Sequence, residues 1–198
     1  MRIQLPSGEY RNELRQPIWD VLFLDADVNP ASVGLRSFFQ IVQGKTLSQT
    51  NLKQSGQLEA DVSFRCLGMQ LDAQNTDPLN LNVLPLVMER SYLIFKITDT
   101  TFYQANGTYV FGRIKQNAAV SSTAPATTVD RFYQHCGDEA VQAVGFSGKH
   151  VLDIGSLQAF RVDFQVENLV GGEIAAATPN SRIQLLLSLK GLQRRPVL

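Results

Sequence analysis

The sequence predicts an all-β protein: a two-sheet antiparallel sandwich with one short helix and long loops. Three observations carry that expectation. Residues 160–167 alternate strictly, with Phe160, Val162, Phe164 and Val166 on one face and Arg161, Asp163, Gln165 and Glu167 on the other. Residues 183–190 repeat the pattern, with Ile183, Leu185, Leu187 and Leu189 opposite Gln184, Ser188 and Lys190. A period of two marks a strand with one buried and one wet face. Elsewhere, short apolar runs are separated by clusters of Gly, Pro, Asn, Asp and Ser, which is turn chemistry.

The chain has 198 residues, a length that fits one sandwich. A domain of this size buries roughly 70% of the surface of its unfolded chain and needs no disulfide or metal staple. Lys plus Arg number 18, as do Asp plus Glu, so the formal net charge is zero. That argues against a free nucleic-acid-binding domain, which carries a basic excess. Charged residues make up 18% of the chain, below the roughly 25% of ordinary soluble domains. A neutral, charge-poor surface suits a chain covered largely by copies of itself. Cys66 and Cys136 have no CxxC partners, and Cys66 reads as a small buried thiol in mid-strand. Residues 1–8 lack a signal-peptide apolar core, and no apolar run approaches ~18 residues, so synthesis in a cytoplasm is expected.

Taken in order, residues 1–16 are polar and interrupted by Pro6-Ser7-Gly8, which predicts an N-terminal arm or edge segment. Residues 17–24, with the single Trp19, are the first strong strand. Residues 25–34 are turn-rich, 37–43 form a short apolar segment, and 47–60 read as a long ordered loop. Residues 61–73 form a strand with apolar side chains on both faces, so it is expected to be central; Gly68 marks a bulge or bend in it. Residues 83–90 are the helix candidate, capped by Asn82 with Pro85 in the first turn. Residues 91–98 are a strand, Asp99-Thr100 a tight turn and 101–105 the returning arm. Asn106-Gly107 is a hairpin dipeptide leading into a strand over 109–114. Residues 116–129 are small and uncharged and read as a flexible loop. Residues 130–144 fit strand-turn-strand or partial helix, 146–155 a strand, and 168–180 a second soft loop. The last strand is expected to end at Gly191, leaving 192–198 as a basic C-terminal tail after a single domain over 17–191. Eight to ten strands joined by hairpins and long crossings favour a Greek-key or jelly-roll sandwich over a meander barrel.

Candidate chemistry is thin. Asp25, Asp27 and Asn29 are spaced like the start of an EF-hand loop, but Pro30 stands at the sixth position, where Gly is required, and Arg36 at the twelfth. Gly44-Lys45-Thr46 and Gly148-Lys149 both lack the first Gly of a P-loop, with Phe39 and Ala143 in its place, and read as turns. His135 and Cys136 are adjacent, so on a strand they point to opposite faces, and His150 has no evident partner. Gly145-Phe146-Ser147-Gly148-Lys149 misses the last Gly of a nucleophile elbow. No catalytic residue, metal site or cofactor is expected. Phe102, Tyr103, Tyr109 and Phe111 flank the Asn-Gly turn and would form the platform of a carbohydrate- or receptor-binding sandwich, the alternative functional reading.

Five stretches bring a family into view: 44–52, 56–58, 91–99, 157–162 and 189–197, the last reading Leu-Lys-Gly-Leu-Gln-Arg-Arg-Pro-Val. In these the chain resembles the single-jelly-roll capsid and virion structural proteins of tailless icosahedral bacteriophages. The resemblance implies a capsid subunit that self-assembles into a shell, with copies of itself and other virion proteins as partners. It implies no active site and no small-molecule substrate. Arg2, Arg11 and Arg15 in the arm and Arg194 and Arg195 in the tail are then the candidate contacts with neighbouring subunits or the inner layer. The basic tail is a candidate for contact with packaged nucleic acid or an internal membrane. The loops at 25–36, 44–60, 116–129 and 168–180 would supply subunit contacts or outer decoration.

Overall fold

The computed structural model describes residues 2–4, 10–25, 35–75, 87–107, 114–119, 131–136, 144–146, 151–167 and 182–196. It is a two-sheet antiparallel sandwich. Among the described residues, nine strands form one sheet and four the other.

The larger sheet is built on two long neighbours, β5 (Ser63–Asn75) and β13 (Arg182–Pro196). The far edge of β13 takes β3 (Ile18–Asp25) beside its first half and β2 (Tyr10–Leu14) beside its last residues. β1 (Arg2–Gln4) pairs with β2. The far edge of β5 takes β9 (Arg131–Cys136), β10 (Val144–Gly145) and β11 (Leu152–Ile154) in succession, and β8 (Ile114–Ala119) pairs with β9. The smaller sheet runs β4 (Arg36–Phe38), β12 (Phe160–Val166), β6 (Ser91–Ile97), β7 (Thr100–Asn106).

The pairings are nested in sequence. β6 pairs with β7, β5 with β9 to β11, β4 with β12, and β3 with β13. The chain is thus one long hairpin, bent at Thr98-Asp99 and rolled into two layers. Thr98 takes the left-handed conformation that closes the bend, with φ of 55°.

The core lies between the layers. The alternating rows at 160–166 and 183–189 supply it as the sequence predicts: Phe160, Val162, Phe164, Val166, Ile183, Leu185, Leu187 and Leu189 are all buried. Phe38 meets Phe164 edge-on at 6.4 Å between ring centroids, and Phe39 meets Phe160 at 5.3 Å.

Several expectations need revision. Residues 192–196 are not a tail: β13 runs through Gly191 to Pro196, because Gln193 to Pro196 find ladder partners in β2. For the same reason residues 10–14 of the expected arm lie in the main sheet. Gln116 to Ala119, expected to be loop, are strand, since β9 offers them an edge. Residues 87–89 form a single helical turn; 83–86 lie outside the described residues, as do the expected strand at 109–113 and the loop at 168–180.

The apolar character of both faces of β5 has a local cause. Opposite Lys190 and Gly191 the register jumps from Gly68 to Cys66, leaving Leu67 as an extra residue. The bulge reverses the parity of the strand. Phe64 and Cys66 point inward on one side of it; Met69, Leu71 and Ala73 do so on the other.

Candidate interaction site

Three polar constructions stand out from the apolar frame. The first is centred on Asp20. In β3 it shares the inward row with Ile18, Leu22 and Leu24, and its side chain is fully buried. One carboxylate oxygen lies 2.7 Å from Lys45 Nζ; the other accepts the Phe39 N–H at 2.6 Å. Lys45 also donates to the carbonyl of Val21 at 2.8 Å. Phe39 carries a left-handed φ of 70°, unusual for a bulky side chain, and its carbonyl accepts the Gly56 N–H at 2.6 Å. Gly56 in turn accepts from Phe160 N at 2.8 Å. The loop between β4 and β5 is therefore tied to both sheets. Its next residues seal the free edge of β3: Trp19 N donates to Asn51 Oδ1 at 2.9 Å, and Trp19 O accepts from Thr50 Oγ1 at 3.1 Å. Lys45, in the segment that mimics a P-loop, thus holds the loop down. Ile41 and Leu47 are exposed on this loop, the latter 83% accessible, and Leu35 is exposed just before β4.

The second construction is Asp163. Alternation predicts a wet face for it, and it does point away from the core, yet it is only 2% exposed. Three neighbours cover it. Ser37 Oγ donates at 2.7 Å, Lys96 Nζ lies at 3.1 Å and Arg161 Nε at 3.2 Å. Their side chains come from β4, β6 and β12, so one carboxylate bolts three strands together across the outer face.

The third is the outer face of the nine-stranded sheet, which carries Arg65, Lys190 and Arg194. Arg194 pairs with Glu13 at 3.1 Å, both largely buried, and Arg65 pairs with Asp153 at 2.9 Å. Arg65 is held above its ordinary pKa, chiefly by the hydrogen bond it donates to Asp153. Arg195 donates to Gln193 at 3.1 Å. Arg2 and Arg11 sit on the β1–β2 pair at the sheet edge. Arg15 and Lys190 are exposed, have no ion-pair partner among the described residues, and line one shallow recess of about 390 Å³ with Pro17, Leu67, Ser188 and Gly191. Of the five arginines singled out in the sequence, Arg194 is paired with Glu13, and Arg15 stands exposed beside Lys190, a residue that sequence reasoning passed over.

Another recess, of about 420 Å³, opens at the sandwich end beneath the 47–59 loop, with Leu47, Gln57, Glu59 and Arg195 among its lining. Tyr103 turns from the expected aromatic platform to pack edge-on against Phe146 at 5.7 Å, while Phe102 stays half-exposed. Tyr109 and Phe111 lie outside the described residues. Cys66 is a free, buried thiol whose pKa burial pushes up to about 12. Among the described residues no group of three or more His, Cys, Asp or Glu is placed to hold a metal, and no helix is long and apolar enough to cross a membrane. The EF-hand-like segment at 26–34 and His150 lie outside the described residues.

Compared with known proteins, the chain matches no family model, no curated protein and no solved structure.

Proposed function

We propose that this chain is a jelly-roll structural subunit of a virion shell, acting through assembly rather than catalysis. The observation that carries the reading is the nested strand order. With β2 and β3 counted as one broken strand and β9, β10 and β11 as another, each sheet has four principal positions filled by a rolled hairpin. That order supports a double-sheet jelly roll, an architecture that viral capsid proteins share with lectins and cupins. The sequence resemblance to phage capsid proteins tips the choice among these. A neutral chain with large apolar side chains exposed on a firmly anchored loop supports it further.

Size-exclusion chromatography and electron microscopy of the purified chain test the proposal. Closed shells or large regular oligomers are expected. A protein that stays monomeric at every concentration, or that binds a defined glycan as a monomer, would overturn it.

A further inference from the structure

Two irregularities in the nine-stranded sheet fall on the same residues of β13. On one side, β2 ends its pairing at Leu14 with Gln193 and β3 begins at Ile18 with Leu189, so Lys190, Gly191 and Leu192 have no ladder partner there. Pro17, without an N–H, cannot supply one. On the other side lies the β5 bulge, which leaves Leu67 unpaired in the register. Its carbonyl is occupied by the Phe146 N–H at 2.7 Å. Bulges recur where a strand re-aims a side chain next to a site.

The recess of about 390 Å³ opens where the two interruptions meet. Leu67 and Pro17 give it an apolar wall, and Gly191 adds no side chain to fill it. Arg15 and Lys190 are exposed beside it, and Ser188 adds a hydroxyl. The neighbouring cations are already matched, Arg194 by Glu13 and Arg65 by Asp153. Among the described residues, no carboxylate lines the recess.

We propose that this recess binds a single amphiphilic anion, its acidic head between Arg15 and Lys190 and its apolar body on Leu67 and Pro17. A mostly apolar surface edged by two unmatched cations is complementary to an acyl chain bearing one carboxylate or phosphate. A nucleic-acid backbone fits less well. It needs a track of several cations, and this site has two. The site stands independently of whether the chain builds a shell.

Calorimetric titration with decanoate, decyl phosphate and decanol, all below their micelle concentrations, tests the idea. Decanoate or decyl phosphate should bind at one site per chain, and comparing the two identifies the preferred head group. Decanol should bind about tenfold more weakly, and hexanoate more weakly than decanoate. Arg15→Gln and Lys190→Gln should each weaken binding about threefold and together about tenfold. Both residues are exposed, so an unchanged melting temperature should accompany the loss. Equal affinity for decanol and decanoate, no dependence on chain length, or undiminished binding in the double variant would overturn the proposal. So would binding of a single-stranded oligonucleotide, but not of decanoate or decyl phosphate, that the double variant loses; that result would assign the two cations to a nucleic-acid contact. Assembly seen by electron microscopy is a separate readout, so failure here leaves the shell proposal untouched, and the reverse holds as well.

Discussion

The ammonium of Lys45 lies 2.7 Å from a carboxylate oxygen of Asp20, whose side chain is wholly buried. Removing the cation leaves a buried charge without its counter-ion, a change that typically costs 3–5 kcal/mol. Lys45→Met is expected to destabilise the fold by about 3 kcal/mol, read as a lower urea midpoint at unchanged slope. Adding Asp20→Asn should recover part of the loss, because a neutral amide oxygen can still accept the Phe39 N–H. A double variant no more stable than Lys45→Met would show that the charge is not what matters.

Gly191 is required by close approach. A β carbon there would overlap the Arg65 carbonyl oxygen and stand 2.7 Å from the Phe64 ring. Gly191→Ala should force the two central strands apart at the bulge and cost about 2 kcal/mol. A domain of this length should then melt about 4–8 °C lower. Gly44, which has open space around its Cα, serves as a comparison site for steric cost, though its φ of 83° adds strain of its own.

Phe164 has no exposed surface and packs edge-on against Phe38. Phe164→Asp should abolish folding, because the carboxylate would enter the core unpaired. Phe164→Ala should leave a foldable but weaker protein, destabilised by about 3–5 kcal/mol. Cooperative unfolding of the Asp variant near the parent midpoint would mean that the inward row is misassigned.

Cys66 gives the pH dependence. Its folded-state pKa of about 12 lies above its ordinary value of 9.0, with burial the first cause. In the window between those values the native state keeps a proton that the unfolded state has lost. The contribution is therefore fully present below pH 9 and falls away as pH rises towards 12. Stability measured across that alkaline window should decline less steeply in Cys66→Ala, by up to one proton. At neutral pH, Cys66 should resist thiol reagents until the protein unfolds. Rapid native labelling at Cys66, located by mass spectrometry, would contradict its burial.

Residues 194–196 pair with Glu13, Asn12 and Arg11. Truncation after Gln193 should therefore release β2 rather than merely remove a charged end. Limited proteolysis should then cut within residues 10–14 while the rest of the sandwich resists. Arg194→Ala alone should cost up to about 1 kcal/mol through the lost Glu13 contact. Cleavage unchanged by the truncation would mean that β2 is held from its other side.

The sandwich was legible because its strands obey period two. The rows at 160–166 and 183–189 contain no irregularity, and the sequence predicts their inward residues correctly. β5 was harder to read: the extra residue at Leu67 switches its parity, so two half-patterns look like one strand apolar on both faces. Gly68 was the visible trace of that switch. The polar sites were less legible. Asp163 alternates as an outward residue should, and what buries it comes from β4 and β6, distant in sequence. Asp20 did leave a signal, since it stands among Ile18, Leu22 and Leu24 in the inward row, where a carboxylate demands a cation. Nothing local identifies Lys45 as that cation. The recess beside Lys190 had no signature in the sequence, because it forms where two separate breaks in pairing meet across one strand.

The central place of β13 has a kinetic consequence. It joins β2, β3 and β5 at once, yet it follows all of them in the chain. At about 5–20 residues per second, a ribosome delivers it several seconds after β5 has emerged. Throughout that interval β3 and β5 present open hydrogen-bonding edges, and closing them requires ends of the chain that are far apart in sequence to meet. The larger sheet thus cannot close until β13 has been made. A peptide spanning residues 182–196, supplied in trans during synthesis, should compete for those edges and slow folding.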